Sequence, residues 1–216
     1  MTVSPPRPLI AVLDYEIGNL RSAQKALQHL GADARLTADL GLVRDADGVV
    51  LPGVGAFGRC MQALHRNGLD DLAHESVDEG RPFLGICIGM QMLFEASEES
   101  PGASGLGVLP GTVRLLPDHV KRPQMQWNIL ERRGDPELLR PAPDPAWAYF
   151  VHSYAPETDE ALVIATCDYG GPVVAAVERD NVWATQFHPE KSSRTGLAVL
   201  SAFVDRCAVA ARQGAH

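Results

Sequence analysis

Paired cysteines are missing from this chain of 216 residues. Its four cysteines, at positions 60, 87, 167 and 207, form no Cys-x-x-Cys, and the chain is far longer than a disulfide-stapled mini-domain. Reduced thiols in a cytoplasm are the expectation. Also missing is any apolar run that approaches a membrane span. The proline-rich start, Met1-Thr2-Val3-Ser4-Pro5-Pro6-Arg7-Pro8, lacks the apolar stretch of a signal peptide, so residues 1–8 read as a frayed tail before one domain over 9–210. Basic clusters never exceed pairs such as Lys121-Arg122 and Arg132-Arg133, and the formal charge is −8. That balance argues against a surface that tracks nucleic-acid phosphates. The histidines at 29, 65, 74, 119, 152 and 216 show no paired ligand spacing, so neither a metal site nor a cofactor is called for. No repeat or low-complexity block is present.

What the chain does have is enough apolar content, 45%, to bury a substantial single core. In the first half, apolar strand-like runs alternate with helical spacing. Leu9 to Leu13 reads as a strand; Asn19 looks like a cap for a helix through Leu20, Ala23, Leu27 and Leu30, closed at Gly31. A strand over Asp47 to Leu51 precedes a helix through Phe57, Met61 and Leu64. A strand over Pro82 to Ile86 precedes a helix through Met90, Met92, Leu93 and Phe94. This alternation predicts an α/β fold with a largely parallel sheet covered on both faces. The second half changes texture. Val108 to Leu116, Met125 to Leu130, Ala146 to Tyr154, Leu162 to Cys167, Val173 to Val177 and Val182 to Phe187 are short strand candidates separated by glycine and proline, so antiparallel additions are expected there. A closing helix shows Leu197, Leu200, Val204 and Cys207 on one face, with Ser192 or Ser193 available as its cap.

Gly85-Ile86-Cys87-Ile88-Gly89 sets a cysteine between two glycines where strand gives way to helix. A nucleophile elbow has that form, because side chains two residues before and after the bend would crowd it. Gln186-Phe187-His188-Pro189-Glu190 adds a base and an acid two residues apart, on one side of an extended chain. Pro189 disfavours helix at His188. Taken singly, Cys87 could be a small buried hydrophobe, His188 a core histidine, and the loop Pro52-Gly53-Val54-Gly55 a tight turn. Together they offer a Cys87, His188, Glu190 triad whose oxyanion is met by the Ile88 N–H and the glycine loop. Ligands of such sheets bind beyond the carboxyl ends of the strands, where these segments converge.

The combination resembles the class I glutamine amidotransferases, which carry an upstream Pro-Gly-x-Gly loop, a Gly-x-Cys-x-Gly elbow and a late His-Pro-Glu. Within that group the chain looks most like the glutaminase subunits of imidazole glycerol phosphate synthase. That narrower likeness rests on Asp14-Tyr15 with Gly18-Asn19-Leu20-Arg21-Ser22, on Leu51 to Phe57, on Gly85 to Gln91, on Tyr149-Phe150-Val151-His152-Ser153-Tyr154, and on Gln186 to Ser192. The resemblance implies a single-domain, flavodoxin-like three-layer sandwich with a mixed, mostly parallel central sheet. It implies hydrolysis of glutamine through a thioester on Cys87, with Gly53, Val54, Gly55, Ile88, Gln91, His152 and Ser153 holding the substrate or its oxyanion. Ammonia would pass to a separate cyclase subunit, a β/α barrel, in a heterodimer of histidine biosynthesis. Gln124 and Gln126 stand where that subfamily usually has histidine and glycine, near the expected docking face, and Glu16 replaces a common glycine. A stand-alone cysteine hydrolase and a non-catalytic binding module remain open as other readings of the same residues.

Overall fold

The computed structural model describes residues 7–17 and 20–214. The expected cap at Asn19 and most of the expected tail lie outside the described residues. Strands β1 (Leu9–Leu13), β2 (Asp33–Thr37), β3 (Gly48–Gly53) and β4 (Phe83–Cys87) alternate with helices α1 (Arg21–His29), α2 (Leu40–Arg44), α3 (Phe57–Arg66), α4 (Leu69–Asp78) and α5 (Ile88–Met92). After them come β5 (Ala96–Ser97), β6 (Thr112–Leu115), β7 (Gln124–Ile129), β8 (Glu131–Arg132), β9 (Trp147–His152), β10 (Tyr154–Glu157), β11 (Val163–Asp168), β12 (Pro172–Arg179) and β13 (Val182–Thr185). The closing helix α6 spans Ser193–Gly214.

Eight strands form one sheet in the order β2-β1-β3-β4-β13-β12-β11-β8. The pairings from β2 through β13 are parallel, and those beyond β13 are antiparallel. Strands β3, β4 and β13 are buried at every position. Covered on both faces, they have no solvent side to alternate toward, which is why they read as continuous apolar runs. The mixed, mostly parallel sheet with late antiparallel strands agrees with the expectation from sequence. Among the described residues no helix is long and apolar enough to cross a membrane.

Several boundaries differ from the sequence reading. The helix after the elbow is five residues long, and Leu93 and Phe94 lie just beyond it, their N–H groups donating back to Met90 and Gln91. The expected strand from Ala146 to Tyr154 breaks at Ser153: β9 pairs with β7 in a separate ribbon, and β10 pairs with β6 in a three-stranded sheet. On α6 the fully buried positions are Val199, Leu200, Phe203 and Cys207, with Leu197 only half-buried. The Ser192 hydroxyl is not a helix cap; it joins the His188 carbonyl and the Tyr149 N–H.

Helix α6 closes the core through Phe203, whose ring meets Trp183 of β13 edge-on at 6.4 Å between centroids. Phe203 has no exposed surface. Replacing it by alanine removes that contact and leaves a cavity, so Phe203→Ala should lower unfolding free energy by about 3–5 kcal/mol. Urea denaturation followed by circular dichroism measures the loss, and a change below about 1 kcal/mol would contradict this packing.

Candidate active site

Strand β4 lies between β3 and β13, so its carboxyl end opens where two neighbouring strands also finish. Cys87 occupies that end with φ 56° and ψ −111°, a conformation that costs a non-glycine residue about 1–3 kcal/mol. The bend is held by close approach on both sides. A Cβ on Gly89 would stand 1.7 Å from the Leu51 carbonyl oxygen, and one on Gly85 would stand 3.0 Å from the Gly89 oxygen. The two glycines are therefore required by packing, as the elbow pattern anticipated. The Cys87 Sγ accepts from Gln186 Nε2 at 3.8 Å and lies 3.9 Å from the Val151 carbonyl.

His188 follows β13 and is positioned from outside its own strand. Its N–H donates to the Tyr149 carbonyl at 3.0 Å. The Ser192 hydroxyl donates to the His188 carbonyl at 2.7 Å and accepts from the Tyr149 N–H at 2.9 Å. The ring then meets Glu190, with Nδ1 2.8 Å from Oε1, and both side chains are buried. Burial alone would pull the imidazole pKa down; Cys87 and then Glu190 outweigh it and hold the value at about 9. With Nδ1 committed to Glu190, Nε2 is the nitrogen left for the thiol. It is buried and has no hydrogen-bond partner among the described residues.

Cys87 and His188 line a cavity of about 220 Å³. Val54, Gly55, Ile88, Gln91, His152 and Ser153, all named from sequence, line the same space. Gly53, also named from sequence, does not line the cavity; it packs behind the elbow, where an added Cβ would stand 2.9 Å from the Gly89 nitrogen. Glu190 stands behind His188. Gln91 donates to the Tyr154 carbonyl and to Gln186 Oε1, both at 2.9 Å, and its own Oε1 is buried without a partner among the described residues. His152 directs Nδ1 at the Tyr154 carbonyl, 2.8 Å away. Burial, opposed by that carbonyl and reinforced by His188, lowers its pKa to about 4, so this ring is neutral and its proton belongs on Nδ1.

Gln186, Glu99 and Pro123 escaped the sequence reading, the last two as lining residues of the cavity. Gln186 is fully buried and links Gln91 to the Cys87 sulfur. Its signal was available, because the period of two that joins His188 to Glu190 also places Gln186 on that side. Glu99 lines the cavity while its Oε2 accepts the Phe57 N–H at 2.7 Å; the acidic stretch around it gave no local hint. Gln124 is fully buried, donating to the Cys167 sulfur at 3.7 Å, and Gln126 is exposed; both lie on β7, beside Met125 and Trp127. Glu16 carries φ 67°, the positive value its replacement of glycine foreshadowed.

The glycine loop continues directly from β3, beside the elbow. Val49 donates to the Pro82 carbonyl at 2.9 Å, and β3 pairs in register with β4 as far as Gly53 with Cys87. Among the described residues no group within the chain accepts from the N–H of Val54 or Gly55. Among the same residues no cluster of three His, Cys, Asp or Glu side chains gathers as a metal cage.

A profile described as Glutamine amidotransferase class-I matches residues 11–207. The chain is 48% identical over 197 residues to imidazole glycerol phosphate synthase subunit HisH of Methanothermobacter thermautotrophicus, covering 91% of this chain and 98% of the relative. It is 44% identical to the HisH subunit of Desulfovibrio desulfuricans, covering 96% and 99%. A crystal structure of a glutamine amidotransferase superposes with a TM-score of 0.73 at 21% identity, covering 92% of this chain and 98% of that one. The structure of PurLQS from Thermotoga maritima follows at 0.69 and 17%, covering 93% and 99%. These two similarities carry the fold alone. Elbow, late histidine and full-length identity to two HisH subunits converge, and the chain belongs to the class-I glutamine amidotransferases, within their HisH family.

Proposed function

We propose that this chain is the glutaminase subunit of an imidazole glycerol phosphate synthase, releasing ammonia from glutamine for a cyclase subunit in histidine biosynthesis. The carrying observation is a buried imidazole between Glu190 and Cys87 at the floor of a cavity sized for one amino acid. In this reading His188 Nε2 takes the thiol proton and the sulfur adds to the carboxamide carbon, sending the carbonyl electron pair to oxygen. His188 then returns the proton to the departing nitrogen. Glutamate is freed when water, deprotonated by the same ring, attacks the thioester. Gln91 Oε1 and Glu99 are acceptors suited to the α-ammonium of glutamine, and the backbone of Gly53 to Gly55 with Ile88 supplies oxyanion donors. Neutral His152 and Ser153 complete the wall.

Ammonia in neutral water is mostly protonated and therefore not a nucleophile, so delivery needs a covered route. The ribbon of β7 and β9 offers the surface for it. Met125, Trp127 and Ile129 face Val151, Tyr149 and Trp147 across the ribbon, and Met125 is 62% exposed. An exposed apolar face of this kind marks an interaction site. We place the cyclase barrel there, forming a heterodimer, because β9 runs from that face into the cavity at Val151 and His152. The four free, buried cysteines suit a reducing cytoplasm.

Cys87→Ala should abolish glutamate release by the complex with the cyclase, and retained glutaminase activity would exclude the assignment. The double change Met125→Glu and Trp127→Glu should end co-purification with the cyclase while the isolated chain keeps its melting temperature; undiminished co-purification would move the partner elsewhere.

The His188 shift has a sign that can be checked. Its folded pKa lies above the ordinary value, so the stability tied to its proton is complete below about pH 6.5 and is lost as pH rises through about 9. Turnover should likewise fall as pH climbs through about 9, where the acid for the leaving nitrogen disappears. Glu190→Gln removes one raising influence; it should move that alkaline limb to lower pH and cut kcat by about 10²-fold or more. An unmoved limb in the variant would show that Glu190 does not set the imidazole.

A further inference from the structure

Two buried side chains that take no part in the triad grip the oxyanion loop from beneath. Tyr15, at the end of β1, has no exposed surface, and its hydroxyl donates to the Pro52 carbonyl at 2.6 Å. Cys60, on α3 and equally buried, directs its thiol at the Val54 carbonyl, 3.6 Å away. These carbonyls belong to the peptides on either side of the one that joins Gly53 to Val54. That central peptide is held by neither grip, and it follows Gly53, which pairs in register with Cys87. Its rotation would turn the Val54 N–H toward the elbow. Gly53 tolerates the rotation at its own ψ, and it has no alternative: a Cβ there would stand 2.6 Å from the Tyr15 oxygen.

We propose that Tyr15 and Cys60 are positioning residues of the oxyanion site, fixing the Pro52 and Val54 carbonyls so that rearrangement is confined to the single Gly53–Val54 peptide. The two act as pivots. With both ends pinned, rotation of the middle peptide delivers one N–H toward the cavity at a reproducible place. Without them, the same loop has more ways to move and fewer that build the site, and preorganised donors are what oxyanion stabilisation depends on. Burial first, then neighbouring Cys60 and Cys87, hold the Tyr15 pKa well above its usual value, so the hydroxyl remains a donor throughout the working pH range. Burial likewise raises Cys60 to about 11 and keeps it a thiol. This inference deepens the glutaminase reading and rests on it.

The test uses the complex with the cyclase and two readouts. Glutamine hydrolysis needs the oxyanion donors; alkylation of Cys87 by iodoacetamide, followed on its own peptide by mass spectrometry, does not, because displacement at a methylene builds no oxyanion. Tyr15→Phe deletes one oxygen and should lower kcat about tenfold, below the 10²–10³ of a lost direct donor, with KM and the alkylation rate within about twofold of wild type. Cys60→Ala should show the same split to a smaller degree, and Cys60→Ser, which keeps a donor, should recover most of the loss. Unchanged kcat in both Tyr15→Phe and Cys60→Ala would overturn the proposal. So would a parallel fall of alkylation and kcat, which would mean that the whole elbow had moved. Failure of the wild-type complex to hydrolyse glutamine would instead remove the underlying reading, an outcome distinct from either.

Discussion

The backbone at Cys87 is the constraint from which the rest of the site follows. Positive φ at a non-glycine residue is unfavourable in isolation, and the helix after it is too short to impose the bend, since an isolated five-residue helix is unstable in water. The bend persists because α5 is pressed onto β3 and β4, with Gly89 directly beneath the Leu51 carbonyl. Any side chain there would push α5 off the sheet, and the thiol would turn away from the cavity with it. Tertiary packing holds the strain, and the strain presents the sulfur.

The base is held by a different principle. Cys87 is fixed by its own strand, whereas His188 is fixed by β9, a strand outside the main sheet. The Tyr149 carbonyl takes the His188 N–H, and the Ser192 hydroxyl bridges the Tyr149 N–H and the His188 carbonyl, so both sides of one β9 residue are tied to the histidine segment. Cys87 and His188 therefore leave neighbouring strands of one parallel sheet, and only the histidine segment is tied in addition to the two-stranded ribbon.

Much of this was legible because parallel strands buried on both faces announce themselves. Leu9 to Leu13, Asp47 to Leu51 and Pro82 to Ile86 match β1, β3 and β4 to within two residues, and the glycine spacing marked the elbow. Strand partners were not legible. Ala146 to Tyr154 reads as one apolar segment, yet it divides at Ser153 between two sheets because its halves pair with β7 and β6. Pairing is decided by distant residues, which a local pattern does not contain. Glu99 escaped for the same reason: what aims it at the cavity is the Phe57 N–H, 42 positions earlier.

Alternation along β9 explains how a surface event can reach the chemistry. On β9 the fully buried side chains are Ala148 and Phe150, while Trp147, Tyr149 and Val151 share the face of Met125, Trp127 and Ile129. Tyr149 thus has its ring in the apolar surface, 5.8 Å from the Trp127 ring, and its main chain hydrogen-bonded to His188. Four strand steps, roughly 13 Å, separate Trp147 at the outer end from Val151 at the cavity wall. In the proposed function a partner covering the ribbon would exclude water from this face and bear on the Tyr149 ring, whose carbonyl holds the His188 N–H at 3.0 Å, so the strand itself offers a path from surface to imidazole.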